Sequence, residues 1–308
     1  MIEISEDNHK QYIARGWCIA KLNISDEKTK IYTKALEELV LKAKEEKYPL
    51  GRVYHDYLTS FNLAAVEAPL NKKICNLETY DFFNKIKLGN SIKKLKKWNN
   101  LSCSLIRLFC MNNYNYSGHW HVDTSAQSND VQVSICLKNE NGFKIIKKQY
   151  KKEIESFLNI KTLDDIEKFI LPLKLSKKYY DMIELKKGEI LFFEPSLLHK
   201  GCTFDERLQF HMRFEEVNKS LNFDDYYEVK DIDFMFAKKL NFDLEISKIN
   251  LNFANVKRSK ILSRLKKTLN YYLPIFNLYS YYIQKKKFSK VKEIDFSILS
   301  NTLFQKNE

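Results

Sequence analysis

Short apolar runs separated by turn residues fill the middle of this 308-residue chain and restrict the folds open to it. Strand-like runs occupy residues 102–110, 131–137, 143–146, 183–193 and 207–214. Four of the seven glycines fall at the loops or turns beside these runs: Gly118, Gly142, Gly188 and Gly201. Short strands with turn signals between them are typical of antiparallel barrels and jelly rolls. We therefore predict a mainly β core.

Helices are predicted around this core. Residues 8–46 indicate a first strand around Gly16, from Tyr12 to Ala20, and then a helix whose N-cap is supplied by Ser25 and Asp26. Another helix is predicted near residues 80–97, and the charged residues 150–181 predict a helical insertion. The composition changes past residue 217, so we divide the chain into a domain at 1–217 and a helical C-terminal extension at 218–308.

The net charge of +13 belongs almost entirely to one segment of the extension, residues 257–292. Residues 257–292 contain eleven Lys or Arg and no acid, which leaves about +2 for the rest of the chain. Two basic clusters there flank an aromatic-aliphatic run, TLNYYLPIFNLYSYYIQ. This pattern fits either a basic helix whose aromatic face packs on the core or a segment lying on an anionic membrane surface. Nucleic acid is not expected as a partner, because interleaved base-stacking aromatics and a groove are not evident.

Several classes of protein are disfavoured by the sequence. No apolar run reaches the 18 residues that a membrane-spanning helix needs, and the first ten residues are polar rather than signal-like. The six cysteines are scattered without a C-x-x-C pair. We therefore expect a cytoplasmic protein with free, mostly buried thiols, in possible peripheral contact with a membrane through residues 257–292.

His121 and Asp123 form an H-x-D pair that could bind a metal ion. Residues at i and i+2 on a strand point to the same face, so an imidazole and a carboxylate spaced this way can grip one ion. His199, which follows the apolar run 190–193 and the turn at Glu194-Pro195, offers a third donor. Two histidines and one carboxylate form the ligand face of non-haem Fe(II) oxygenases. Each residue alone could instead be a hydrogen-bonded core or loop residue.

Residues 8–217 resemble the phytanoyl-CoA dioxygenase family of Fe(II)/2-oxoglutarate oxygenases. The stretches that carry the resemblance are YIARGWCIAKLNISDEK, GHWHVD, VSICLKNENGFKII, KKGEILFFEPSLLHKG and ERLQFHMRF. It implies a double-stranded β-helix core of the jelly-roll or cupin-like kind, with flanking helices. After Ile146 the family commonly has a proline-glycine-serine-histidine turn, whereas this chain reads Lys147-Lys148-Gln149-Tyr150.

The resemblance also implies residue roles. His121, Asp123 and His199 would ligate Fe(II), and Arg207 would pair with the distal carboxylate of 2-oxoglutarate. A guanidinium suits that task because its fixed fork matches a carboxylate. Arg213 is the reserve candidate, since it lies with Arg207 and His211 on one face of the strand. His119 and Trp120 would orient the ligands or pack beside them.

The implied activity is hydroxylation, or desaturation, of an unactivated C–H bond, with O₂ consumed and 2-oxoglutarate converted to succinate. Halogenation is disfavoured because related halogenases replace the carboxylate with a small residue, whereas Asp123 is present. The substrate would be a small molecule or a lipid- or sugar-linked compound. Two alternatives stay open: the same ligands could hold another divalent metal for non-oxidative chemistry, or the protein could be a membrane-surface binding module.

Overall fold

The structure is a computed structural model that describes residues 2–45, 50–56, 61–67, 69, 74–111, 116–117, 120–124, 128–157, 175–203 and 206–216. The predicted extension at 218–308 and most of the predicted insertion lie outside these residues. Within them, antiparallel sheets dominate and helices pack around them, so the prediction of a mainly β protein with flanking helices is confirmed.

Five α-helices lie within the described residues, and two short 3-10 turns accompany them. The helices are α1 (Glu6–Arg15), α2 (Asp26–Glu45), α3 (Leu77–Ile86), α4 (Leu88–Lys96) and α5 (Lys151–Phe157), and the 3-10 turns are Lys148–Tyr150 and Lys177–Tyr179. The first helix begins at a capping box, in which the side chains of Ser5 and Asn8 satisfy each other's backbone N–H groups. It ends at Gly16, whose φ of +77° is the left-handed conformation that glycine adopts freely.

The strands form three antiparallel sheets. They are β1 (Trp17–Lys21), β2 (Leu50–Asp56), β3 (Phe61–Glu67), β4 (Leu101–Met111), β5 (Tyr116–Ser117), β6 (Val131–Cys136), β7 (Glu140–Ile146), β8 (Tyr180–Leu185), β9 (Glu189–Phe193), β10 (His199–Lys200), β11 (Cys202–Thr203) and β12 (Arg207–Glu216). The large sheet has the order β1-β9-β6-β12-β4-β3-β2, a smaller one has β10-β7-β8, and β5 pairs with β11.

The central strand β12 separates two environments by simple alternation. Its apolar residues Leu208, Phe210, Met212 and Phe214 belong to the core shared with the helices. Phe210 lies 6.0 Å from the Phe82 ring in a stacked contact and 4.6 Å from the Phe83 ring edge-on, which ties the sheet to α3. The residues between them, Arg207, Gln209, His211 and Arg213, point to the opposite face. That face is where a site can form.

Several sequence predictions need correction. The predicted first strand starts only at Trp17, because Tyr12 to Arg15 complete α1. The helix predicted near 80–97 is two helices, separated at Lys87 by a left-handed backbone (φ +47°). The turn predicted at 139–142 is shorter, since β7 already begins at Glu140 and Gly142 (φ +97°) lies at an irregular position within it.

The end of the predicted 150–181 insertion is also different, because residues 180 and 181 belong to β8. Helix α5 lies inside the insertion, whereas residues 158–174 are outside the described part.

The N-cap at Ser25 is confirmed: its hydroxyl accepts a hydrogen bond from the N–H of Lys28 at 3.3 Å. Among the described residues, no helix combines the length and apolarity needed to cross a bilayer, and five cysteines are free thiols, three of them buried.

Candidate metal centre

Backbone hydrogen bonds fix the three predicted ligands at one end of the sheets. His121 and His199 form an antiparallel bridge, in which each N–H donates to the other's carbonyl, at 2.9 and 2.8 Å. The N–H of Asp123 donates to the carbonyl of Pro195 at 2.9 Å, just after β9 ends. The segment that carries His121 and Asp123 is therefore held against the segment that carries His199, although the two are far apart in the chain.

The donor atoms of these residues converge. One ligand atom from each of His121, Asp123 and His199 lies within 4.8 Å of the others. His121 Nε2 is 3.8 Å from Asp123 Oδ1, and His199 Nε2 is 3.6 Å from Asp123 Oδ2. Atoms that share one ion through bonds of ~2.1 Å lie ~3 Å apart, so small side-chain rotations reach coordination distance.

The imidazole of His199 is arranged as a metal ligand would be. Its Nδ1 lies 2.8 Å from the carbonyl of Leu197, so the proton sits on Nδ1 and the lone pair is on Nε2. The side chain is buried, and among the described residues Nε2 has no hydrogen-bond partner. A buried acceptor left unpaired costs about 1–3 kcal/mol. A bound metal ion would satisfy this atom, so the residues present fit a divalent metal.

The carboxyl group of Asp123 is held in its ionised form. Burial by itself would raise its pKa, but the neighbouring His199, His121 and Arg213 hold the pKa of Asp123 well below its ordinary value. A carboxylate and two imidazoles are donors that suit Fe(II) and other divalent first-row metals. The cluster therefore offers an ionised oxygen donor beside two imidazoles, which are the donor types that bind such a cation.

Two residues that the sequence analysis did not assign to the metal site contact Asp123 directly. Gln132 Nε2 donates to Asp123 Oδ2 at 2.7 Å, and Arg213 Nη2 lies 3.1 Å from the same oxygen. Gln132 is fully buried on β6, where it also contacts His211 Nε2. A glutamine inside the buried strand VQVSIC was the available signal, because a buried polar residue needs a partner.

Arg207 lies towards the other end of the same face of β12. It is six positions from Arg213 along the chain, which is ~20 Å of extended strand. Its Nε donates to Gln209 Oε1 at 2.6 Å, its Nη2 is 3.5 Å from Glu140 Oε1, and its guanidinium lies 4.9 Å from the centre of the Phe109 ring. The structure thus brings Arg213, not Arg207, to the metal ligands, and Arg207 is buried at a greater depth.

Aromatic side chains line the space between these arginines. The Phe193 ring lies 5.0 Å from the His199 ring and 6.2 Å from the His211 ring, and Phe109 lies 5.6 Å from His211. Burial lowers the pKa of His211 well below its usual value, so this imidazole stays neutral at physiological pH. These apolar and neutral side chains lower the local dielectric constant, which strengthens electrostatic interactions inside the site.

The remaining predicted site residues are Trp120 and His119. Trp120 is buried and lies 5.5 Å from the Tyr180 ring, so it packs against the smaller sheet. His119 lies outside the described residues. In the segment that departs from the family pattern, the Lys148 ammonium contacts Glu194 Oε1 at 2.6 Å, which ties the segment after β7 to the loop after β9.

Comparison with solved structures places the described architecture among known folds. The chain is similar to the non-haem alpha ketoglutarate dependent carbocyclase SnoK from nogalamycin biosynthesis, with 10% identity, a TM-score of 0.51, and coverage of 70% of this chain and 85% of that one. AviO1 from Streptomyces viridochromogenes Tue57 matches with 10% identity, a TM-score of 0.52, and coverage of 70% and 96%. The likeness is one of fold.

A third similar structure is EctD from S. alaskensis, which was crystallised with 2-oxoglutarate and 5-hydroxyectoine. It is 10% identical, has a TM-score of 0.52, and is matched over 71% of this chain and 78% of its own. No protein-family model and no curated protein matches the sequence. The resemblance of residues 8–217 to the phytanoyl-CoA dioxygenase family therefore stays a prediction, whereas the fold is that of these enzymes.

Proposed function

We propose that this protein is a non-haem iron oxygenase that uses 2-oxoglutarate and O₂ as co-substrates. The observation that carries the proposal is the cluster of His121, Asp123 and His199, which includes a buried imidazole nitrogen without a hydrogen-bond partner. These are the donors of non-haem Fe(II) oxygenases. The likeness in fold to an alpha ketoglutarate dependent carbocyclase and to EctD supports the same conclusion.

The strand order supports a double-stranded β-helix of the phytanoyl-CoA dioxygenase type. In chain order, β4, β6, β9 and β12 contribute to the large sheet, while the bridge at His121, β7, β8 and β10 contribute to the smaller one. We propose that these eight segments are the two halves of one jelly roll, with the metal ligands at its open end. Four of the five sequence motifs quoted above fall on these segments, whereas the first, YIARGWCIAKLNISDEK, spans α1, β1 and the start of α2.

His121, Asp123 and His199 would hold the iron and leave adjacent coordination positions for 2-oxoglutarate and O₂. The chemistry that bound iron supplies is the oxidation of a substrate C–H bond by O₂, coupled to the decarboxylation of 2-oxoglutarate to succinate. The protein would orient the ligands through the carbonyl of Leu197, which holds the Nδ1 proton of His199. Phe193 and Phe143, whose rings contact each other at 5.2 Å, would pack together against the His199 ring and restrict its rotation.

We assign Arg207 to the distal carboxylate of 2-oxoglutarate. Arg213 contacts Asp123 through Nη2 at 3.1 Å and Gln132 through Nε, so this residue lies at the metal ligand itself, whereas the carboxylate contact of Arg207, from Nη2 to Glu140 Oε1, is longer at 3.5 Å. The far end of a five-carbon diacid must lie deeper, on the side of Arg207. There, Phe109 covers the guanidinium and limits its exposure to water, which strengthens a charge-assisted hydrogen bond.

Hydroxylation is the outcome we favour, with desaturation as its variant. Asp123 occupies the carboxylate position that related halogenases would leave to a halide. SnoK, which shares the fold, is named as a carbocyclase, so the fold by itself does not fix the outcome. Product mass decides: a gain of one oxygen supports hydroxylation, and a loss of two hydrogens supports desaturation.

The central experiment is succinate release. Protein loaded with Fe(II) and supplied with ascorbate and 2-oxoglutarate is screened against pools of small molecules and of lipid- or sugar-linked compounds, in air and under argon. Oxygen-dependent succinate in at least one pool, absent from His121→Ala, is the expected result. Tight Fe(II) binding without succinate in any pool would favour the alternative, a non-oxidative divalent-metal protein.

We also propose that residues 257–292, which lie outside the described residues, bring the enzyme to an anionic membrane surface. Eleven positive charges and a central aromatic run support this, because basic residues attract acidic lipids and aromatic rings settle at headgroup depth. Full-length protein should co-sediment with vesicles that contain phosphatidylserine, and the triple variant Lys285→Glu, Lys286→Glu, Lys287→Glu should bind them much less. Equal sedimentation of both proteins would contradict the proposal.

A further inference from the structure

One oxygen of the Asp123 carboxylate is already occupied by protein donors. Gln132 Nε2 and Arg213 Nη2 approach Oδ2 at 2.7 and 3.1 Å. Arg213 Nε also donates to Gln132 Oε1 at 3.0 Å, which closes a ring of three side chains. The ring fixes the amide of Gln132, because the oxygen that accepts from Arg213 leaves the NH₂ group facing Asp123.

Both oxygens border the metal position: Oδ1 lies 3.8 Å from His121 Nε2, and Oδ2 lies 3.6 Å from His199 Nε2. Since two donors already use the lone pairs of Oδ2, Oδ1 is the oxygen left for an ion. A carboxylate with one oxygen held by two donors cannot easily turn to offer both oxygens to an ion. The ring therefore favours coordination through Oδ1 alone, which keeps an additional metal position open for co-substrates.

The ring is also well anchored. Gln132 is fully buried in the middle of the large sheet, and it pairs in register with Arg213 of the neighbouring strand β12. The two adjacent strands therefore place both hydrogen-bond donors at paired positions of the sheet. The backbones that carry both donors are fixed by strand pairing, so the sheet presents both donors to Oδ2 from paired positions.

We propose that Gln132 and Arg213 are positioning residues that clamp Oδ2 of Asp123 and so direct Oδ1 to the metal ion. The proposal rests on the metal site described under the proposed function. It assigns to Arg213 a task other than holding the distal carboxylate of 2-oxoglutarate. Partners that orient metal-ligating groups change metal affinity by roughly 10- to 100-fold when they are removed.

The test uses Co(II) as a spectroscopic probe of the full-length protein. Gln132→Met keeps the volume of the side chain and removes its hydrogen bonds. We expect its Kd for Co(II) to rise roughly 10- to 100-fold, with a changed visible absorption spectrum because Oδ2 becomes free to coordinate. Ser134→Ala is the matched control, because Ser134 is buried two residues further along β6 on the same face. This variant should have the Kd for Co(II) and the visible spectrum of the wild type.

Arg213→Met provides an independent variant in case Gln132→Met does not fold. It should change the Co(II) spectrum in the same direction, and the double variant should be no weaker in Co(II) binding than the poorer single variant, because both donors act through one oxygen. If the variants keep the wild-type Kd for Co(II) and the wild-type spectrum but unfold at lower urea concentrations, the two residues have a purely structural role and the proposal is overturned. Wild-type protein that binds no Co(II) would instead overturn the proposed function itself.

Discussion

Gly16→Ala should destabilise the protein through a contact that reaches the metal centre. A Cβ at this position would lie 2.4 Å from Leu197 Cδ1, and Leu197 is fully buried, so its side chain has little room to move aside. The carbonyl of the same Leu197 holds the Nδ1 of His199 at 2.8 Å. The substitution therefore presses on the residue that orients a predicted metal ligand.

The size of the effect can be divided into two parts. A left-handed backbone (φ +77°) costs a non-glycine residue about 1 kcal/mol. Forcing an extra methyl group into a packed core costs about 1–3 kcal/mol. Gly188→Ala is the matched control, because Gly188 has a φ of +83° but no atom of the described residues within 4 Å of an added Cβ. The reduced entropy of the unfolded chain is common to both variants and cancels in the comparison.

The assay is urea unfolding of metal-free protein. We expect Gly188→Ala to lower the free energy of unfolding by about 1 kcal/mol, and Gly16→Ala to lower it by about 2–4 kcal/mol. In a Leu197→Ala background the clash is gone, so the additional loss from Gly16→Ala should fall to that of Gly188→Ala. Equal losses for both glycines in the wild-type background would refute the argument from packing.

Three further predictions concern the site and the core. His199→Ala should abolish the gain in unfolding free energy that Co(II) at 100 times its Kd gives the wild type, about 2.7 kcal/mol; a retained gain in urea titrations would place the metal elsewhere. Arg207→Met should raise the KM for 2-oxoglutarate in the succinate assay roughly 10- to 100-fold, as expected for loss of a charge-assisted pair, and an unchanged KM would exclude the assignment. Phe210→Ala should lower the free energy of unfolding by about 3–5 kcal/mol. Leu77→Ala, at a side chain that is 79% exposed, should change it by less than about 0.5 kcal/mol. Comparable losses for the two variants in thermal or urea unfolding would contradict the described core.

The strands of the core could be predicted because their signals are local. Alternation along Arg207 to Phe214 and the turn at Lys187-Gly188 each specify their own element, and the structure has both. The first helix was missed because the apolar stretch after Tyr12 looks like a strand, while the deciding signal is the capping box at Ser5 and Asn8, several residues earlier. A capping box that starts a helix outweighs the strand propensity of the residues that follow it.

The partners of the two arginines could not be predicted in the same way. Period two places Arg207 and Arg213 on one face, but it does not say what each one meets. Glu140 reaches Arg207 from the smaller sheet, and Gln132 reaches Arg213 from the adjacent strand. Both contacts depend on how distant segments pair, which no spacing within β12 encodes. The convergence of His121 and Asp123 with His199 was predictable only as a joint pattern, since each residue alone has an ordinary alternative.

The paired backbones of His121 and His199 have a consequence for the order of events during synthesis. The first histidine leaves the ribosome long before the second, and its bridge partner in the fold arrives only when the short strand at residue 199 docks. A nascent chain that ends before this point therefore lacks one of the three predicted metal ligands. Loading with metal should be among the last steps of maturation, when the closing strand has locked in place.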